Sequence, residues 1–93
     1  MNPSASAEAI RRILVERADQ DMKWGDQAHH PDTTWLAILM EEVGELCQVV
    51  LHAKFGGKHG TWDNALEEAT QVAAVATAWL EALIVRQQRG ADL

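Results

Sequence analysis

The chain has 93 residues, of which 47% are hydrophobic and 24% are charged, and its formal net charge at pH 7 is -6. This length fits one domain over residues 1–93, with a core from about residue 6 to residue 88, and the apolar content excludes a disordered chain. The acidic balance and the lack of a basic stripe argue against binding to nucleic acid.

The first predicted helix runs from about Ser6 to Met22, because apolar residues recur there at helical spacing. The residues on its apolar side are Ile10, Ile13, Leu14 and Ala18. Ser4 or Ser6 can cap its start. A polar loop over residues 23–31 follows, and Pro31 at its end biases the residue before it away from helical geometry.

The second predicted helix runs from about Thr34 to Lys54 or Phe55, with Asp32, Thr33 or Thr34 as its cap. Two glycines at 56 and 57 end it. The third helix runs from about Trp62 to Gln88, and the chain from Arg86 onward is expected to be a solvated end. No segment carries a strand signal, so the sequence predicts an all-α, three-helix protomer.

Two acidic segments, 41–45 and 67–71, lie within these helices. Glu42 and Glu45 share a helix face with apolar side chains, and Glu68 lies on the apolar side of the third helix, whereas surface glutamates ordinarily lie opposite such a face. Buried carboxylates are costly and repel one another unless a cation or basic residues pair with them. No basic residue lies on the Glu42 face. We therefore expect a metal site, with a solvated acidic face as the alternative.

Gly44 lies between these carboxylates, and a glycine within a helix costs roughly 1 kcal/mol relative to alanine. Its presence indicates either the close approach of a helix or ligand to the backbone, or helix packing alone.

The third helix is apolar nearly all round, and such a helix is buried nearly all round. The residues on its far side, beyond the Glu68 face, are Ala73, Ala76, Thr77, Leu80 and Ile84. Two other helices in so short a chain do not cover this side. We therefore predict a homo-oligomer, at least a dimer, with the helices packed into a bundle.

The cellular compartment follows from three features of the sequence. The single cysteine, Cys47, excludes an internal disulfide and a cysteine-based zinc cluster. The first residues lack the apolar core of a signal peptide, and no uninterrupted apolar run is long enough to span a bilayer. We expect a cytoplasmic protein without a membrane partner.

The acidic motifs and the loop before them carry a family resemblance. The pattern Glu41-Glu42-x-x-Glu45, followed by Glu68-x-x-Gln71 on the next helix, resembles the all-α NTP pyrophosphatase superfamily, which includes MazG-like proteins and dCTP pyrophosphatases. The loop that begins at Trp24 is similar to the segment leading into the metal helix of the dCTP pyrophosphatase branch. The resemblance covers about residues 17 to 83.

This resemblance implies a MazG-like oligomeric bundle and assigns roles to the acidic residues. Glu42, Glu45 and Glu68 match ligands of magnesium, for which manganese can substitute. Glu41 matches an additional acid that orients or deprotonates the attacking water. Gln71 stands where the family usually has aspartate, and its amide carbonyl keeps an oxygen donor without the charge.

The activity that the resemblance implies is hydrolysis of a (d)NTP to the (d)NMP and pyrophosphate, as in house-cleaning enzymes, by a homodimer or homotetramer. Phosphoribosyl-ATP pyrophosphohydrolase is a close variant. Trp24, His30 and Trp35 are candidates for a base pocket, with core packing as the alternative, and Lys54 is a candidate for binding the triphosphate. The other function class is a non-catalytic helical oligomer that binds nucleotide or a protein partner, with Gln71 marking a degenerate site.

Overall fold

The computed structural model describes the whole chain, Met1–Leu93, as three α-helices without a strand. Helix α1 spans Pro3–Trp24, α2 spans Asp32–Phe55 and α3 spans Trp62–Gln88. The all-α prediction is confirmed, and α3 has the predicted bounds. The helix predicted from Ser6 to Met22 is longer at both ends, so that Trp24 ends α1 instead of lying in the loop.

Helix α3 lies between the other two, which both pack against α3 and not against each other. Trp35, early in α2, packs against Ala78 and Ala82, late in α3, whereas the later Glu42 lies beside the earlier Glu68. Helix α2 is therefore antiparallel to α3. Because α1 and α2 are separate, a cleft remains between them with α3 as its floor.

The starts of α1 and α2, the two helices for which a cap was predicted, both differ from the prediction. Asn2, rather than Ser4 or Ser6, caps α1: its side chain accepts a hydrogen bond from the backbone N–H of Ala5 at 3.1 Å. Proline at the next position suits this cap, because the first turn of a helix has no use for its missing N–H. At α3 the side chain of Thr61 accepts from the Asn64 N–H at 3.2 Å.

Helix α2 has no side-chain cap, contrary to the prediction for Asp32, Thr33 or Thr34. The Asp32 carboxylate instead accepts hydrogen bonds from Trp79 Nε1 at 2.9 Å and from Arg86 Nη2 at 2.8 Å. These bonds fasten the start of α2 to the end of α3. The prediction that the chain from Arg86 onward is a solvated end is therefore wrong for Arg86 itself.

The core is thin, because only six of the 93 residues are buried. They are Trp35, Val49, Ala74, Val75, Ala78 and Ala82, all on α2 and α3. The radius of gyration is 15.1 Å, against about 12 Å for a compact domain of this length. The single chain is therefore elongated and leaves much of its apolar surface uncovered.

Gly60, in the loop after α2, is closely packed against other backbone atoms, whereas Gly44, within α2, faces open space. A Cβ at Gly60 would lie 2.3 Å from the backbone nitrogen of Ala53, so only glycine lets this loop pack on α2. No atom lies within 4 Å of the corresponding position at Gly44. Within one chain, neither a helix nor a ligand-binding segment approaches Gly44.

Helix α3 is long and apolar enough to cross a membrane by length and composition alone. The central helix of a water-soluble bundle has the same character. Here α3 carries the half-buried Glu68 and also Glu81, which pairs with Arg17 of α1. Charged groups at membrane depth are expensive. A cytoplasmic protein without a membrane partner stays our prediction.

Candidate metal centre

Three carboxylates from two helices converge at the middle of the molecule, and we call them the acid cluster: Glu42 and Glu45 of α2 and Glu68 of α3. One carboxylate oxygen of each lies within 4.8 Å of the others. Opposite ligands of an octahedral magnesium stand about 4.2 Å apart, from metal–oxygen distances of about 2.1 Å. Only one of the three pairs can be opposite in this way and the other pairs must stand closer, so the three side chains would have to move toward one another to hold one cation together.

The electrostatics of the acid cluster are those of a site that lacks a counter-charge. Burial, followed by the negative charges of Glu45 and Glu68, raises the pKa of Glu42 to about 7. Burial, followed by the charge of Glu45, also raises the pKa of Glu68. The Oε2 atom of Glu68 is buried without a hydrogen-bond partner. Such an orphaned acceptor and such mutual repulsion are what a bound cation relieves.

No lysine, arginine or histidine forms an ion pair with any member of the acid cluster. Of the two remedies that the sequence left open, basic partners are therefore not used within the chain. The half-buried positions of Glu42 and Glu68 also disagree with a fully solvated acidic face. Three oxygen donors, two of them partly shielded from water, suit a hard divalent cation.

Glu41 and Gln71 flank the acid cluster without belonging to it. Gln71 follows Glu68 by one turn of α3 and lines the cleft that also contains Glu42. Glu41 is exposed, and its charge is the smallest of the causes that raise the pKa of Glu42. The roles of added oxygen donor for Gln71 and of water-orienting acid for Glu41 stay predictions.

The cleft between α1 and α2, which we call the α1–α2 cleft, extends from the acid cluster toward the end of α1. Its volume is about 410 Å³, within the range of small-molecule sites. It is lined by Gln20, Lys23, Trp24, Gln27, Trp35, Ile38, Glu42, Gln71 and Val75. A ligand in this cleft would meet the Glu42 carboxylate and the Gln71 amide at one end and the Trp24 ring at the other, whereas Glu45 and Glu68 do not line the cleft.

The predicted base-pocket residues have three different environments. Trp24 is exposed at the cleft, with the Lys23 Nζ 4.9 Å from its ring centroid. Trp35 is 4% exposed and belongs to the core, so its packing role is confirmed. His30 packs edge-on against Trp35, with 5.2 Å between ring centroids, and lies behind the cleft wall.

Trp35 and His30 also carry polar atoms without partners. Trp35 Nε1 and His30 Nε2 are both buried and make no hydrogen bond. Buried polar atoms in folded proteins are seldom left without a partner. Both nitrogens are closed off from solvent, so neither is presented to a ligand in the cleft, and the base-pocket role of Trp35 and His30 stays a prediction.

The structure does not bring Lys54 to the acid cluster. Lys54 is exposed and follows Glu45 by nine residues on the same helix, which is about 14 Å along the helix axis. It lines neither the α1–α2 cleft nor any surface next to Gln71. A single chain therefore gives Lys54 no contact with a phosphate bound at the acid cluster.

The sequence did not predict that basic residues of α1 lie near the candidate site. Lys23 lines the α1–α2 cleft, and Arg11 and Arg12 line a groove on the other side of Gln71. The sequence shows that α1 carries these charges on its polar side. Which part of α3 they reach depends on how the two helices dock, and no local pattern specifies that.

Comparison of the chain with protein-family models, with curated proteins and with solved structures found no match. The likeness to the all-α NTP pyrophosphatase superfamily therefore rests on the motif residues alone. We therefore infer a function from the residues and the geometry of the candidate site.

Proposed function

We propose that this protein is a magnesium-dependent nucleoside triphosphate pyrophosphohydrolase, which converts a (d)NTP to the (d)NMP and pyrophosphate. The observation that carries the proposal is the acid cluster: three carboxylates from two helices, without basic partners, one of which, Glu42, lines a cleft with two tryptophans. The motif resemblance supports the same reaction. Manganese is the second metal that this set of oxygen donors accommodates.

The acid cluster would hold the metal through Glu42, Glu45 and Glu68, and the amide oxygen of Gln71 would add a neutral donor. When bound, magnesium supplies neutralisation of phosphate charge and activation of a water molecule. Glu41 lies at the solvent margin of this site, where its carboxylate can accept a proton from an incoming water.

The rest of the chain's contribution is positioning, which is the main task of a protein in phosphoryl chemistry. Trp24 offers an exposed ring for stacking with a base, and the largely buried Trp35 contributes to the wall of the same cleft. Helix α3 forms the rigid floor that fixes their distance from the acid cluster. No serine or cysteine nucleophile is needed for attack by water on a phosphoryl group.

A homo-oligomer, either a dimer or a tetramer, is part of this proposal. A folded monomer of 10.3 kDa ordinarily exposes about 5,400 Å². This chain exposes 6803 Å². The excess of about 1,400 Å² is more than the roughly 800 Å² that each partner gives to a standard interface. On the far side of α3, Leu80 is 56% and Ile84 43% exposed, so a second copy would have apolar side chains to cover.

A non-catalytic oligomer that binds nucleotide or a protein partner is the second candidate. The observation that favours it is the composition of the site: only three carboxylates converge, and the neighbouring donor is the neutral Gln71. Fewer negative ligands weaken binding of divalent cations. Activity, rather than structure, separates the two candidates.

The test is pyrophosphate release from a panel of canonical and modified (d)NTPs, with magnesium or manganese, by the wild type and by Glu42→Gln and Glu68→Gln. We expect turnover of at least one substrate and its loss, by about a hundredfold or more, in both variants. Asp19→Asn is the matched control, because Asp19 is an exposed acid of α1 outside the site. If the wild type hydrolyses none of the substrates, the non-catalytic candidate remains. If Glu42→Gln keeps full activity, the proposed metal site is refuted.

A further inference from the structure

Two guanidinium groups of α1 meet on a single carboxylate. Arg11 donates from Nε and Nη2 to the two oxygens of Glu8, at 2.8 and 2.7 Å. Arg12 donates from Nε to one of the same oxygens at 3.0 Å. The three hydrogen bonds define a place where both arginines can hold one anion. A phosphate group carries more acceptor oxygens than a carboxylate and suits the same forked geometry.

Arg11 and Arg12 also line a groove next to the acid cluster, and Glu8 is not part of the groove's lining. We call it the arginine groove; its volume is about 260 Å³ and it is lined by Arg11, Arg12, Val15, Glu16, Glu67, Thr70 and Gln71. Gln71 lines the arginine groove and the α1–α2 cleft alike. Glu68 of the acid cluster precedes Gln71 by one helical turn. The two depressions therefore adjoin at the carboxylate end of the cleft, away from Trp24.

The ion pairs that Glu8 forms with Arg11 and Arg12 are of a kind that an anionic ligand can replace. Their side chains are 61% and 40% exposed, and that of Glu8 is 46% exposed. Pairs of this kind on a helix surface are weak, because solvent screens them. Glu16 and Glu67 line the groove without pairing to either arginine. These carboxylates repel a free anion, so a polyphosphate with part of its charge neutralised at the acid cluster fits better than free phosphate.

We propose that Arg11 and Arg12 bind the terminal phosphates of the substrate, which displace Glu8 from the two guanidinium groups. This inference rests on the proposed function and adds to it the residues that hold the part of the substrate released as pyrophosphate. Glu8 keeps the arginines paired while the substrate is absent. The role that the sequence suggested for Lys54 falls to these two residues of α1.

The experiment measures binding of inorganic tripolyphosphate by calorimetry, in excess magnesium and at fixed ionic strength. We expect Arg11→Gln and Arg12→Gln each to weaken binding by about tenfold, the effect of one lost charge-assisted hydrogen-bonding group. Arg89→Gln is the matched control, because Arg89 is exposed at the end of α3, and it should change affinity by less than about twofold.

A second variant tests the displacement of Glu8 and leaves both arginines in place. Glu8→Gln removes the competing carboxylate, so tripolyphosphate should bind about threefold more tightly. Asp19→Asn changes the net charge of α1 by the same amount outside the groove and should have no effect. In substrate kinetics, Arg12→Gln should lower kcat/KM by about tenfold, because the lost guanidinium contacts phosphates that gain negative charge as pyrophosphate leaves.

Three results would overturn the assignment: no binding of tripolyphosphate to the wild type, equal weakening by Arg12→Gln and Arg89→Gln, or binding that neither Arg11→Gln nor Arg12→Gln changes. Its failure is distinguishable from that of the proposed function. Arginine-dependent binding without turnover of any (d)NTP keeps the phosphate site and refutes the enzyme. Turnover with an unchanged kcat/KM in both arginine variants keeps the enzyme and refutes the phosphate site.

Discussion

The raised pKa of Glu42 makes a prediction about stability that does not depend on the substrate. Its ordinary value is 4.5, and burial with two neighbouring carboxylates raises it to about 7. The folded state therefore holds this proton more tightly than the unfolded state. The resulting stability is fully present below pH 4.5 and is lost as pH rises through about 7.

This difference in pKa sets how much the free energy of unfolding falls between low and high pH, which is at most about 3 kcal/mol. Glu42 is only half-buried, so solvent screening reduces the effect to about 1–2 kcal/mol. Glu42→Gln keeps the shape and removes the charge. In metal-free buffer at pH 8, the variant should be more stable than the wild type by this amount, and near pH 4.5 the two should be alike.

The assay is urea denaturation in EDTA at both pH values and at one protein concentration, because assembly makes apparent stability depend on concentration. Magnesium at a hundred times its Kd adds about 2.7 kcal/mol to a protein that binds it, so it should reverse the order at pH 8. Asp19→Asn should follow the wild type throughout. A Glu42→Gln variant that is less stable than the wild type at pH 8 without metal would show that the ionised Glu42 carboxylate does not destabilise the folded state.

Three further predictions concern the fold, the assembly and the metal. Asp32→Ala removes the acceptor of the Trp79 and Arg86 bonds and should lower the urea midpoint more than Asp32→Asn does. Hydrogen bonds from Arg86 and Trp79 lower the pKa of Asp32, so the loss of stability relative to the wild type should shrink as pH falls toward that pKa. Leu80→Glu places a charge on the far side of α3 and should yield a 10.3 kDa monomer by light scattering; an unchanged mass would place the interface elsewhere. Gln71→Asp should tighten magnesium binding by calorimetry, and an unchanged affinity would mean that Gln71 is not a ligand.

The parts of the structure that the sequence predicts well are those that depend on helical period. The bounds of α3 agree with the prediction because glycines precede Trp62 and the apolar pattern continues without a break to Gln88. The inward orientation of Glu42 and Glu68 follows from the same period, since each shares a face with residues that prove to be buried, Trp35 and Val75.

The parts that the sequence predicts poorly depend on contacts between distant residues. Asp32 has good capping chemistry for α2, yet its carboxylate is drawn to Trp79 and Arg86, which are 47 and 54 residues away. The arginines of α1 share a groove with Gln71 only because α1 and α3 dock in parallel. Local patterns carry propensity and period, whereas docking is decided by the packing of whole faces.

Whether this protein is a magnesium-dependent pyrophosphohydrolase is decided by ³¹P NMR of the products that the wild-type protein forms from a (d)NTP panel in magnesium. We expect the nucleoside monophosphate and pyrophosphate in equal amounts from at least one substrate, with no reaction in EDTA. Nucleoside diphosphate with inorganic phosphate, or no hydrolysis of any substrate, would contradict it.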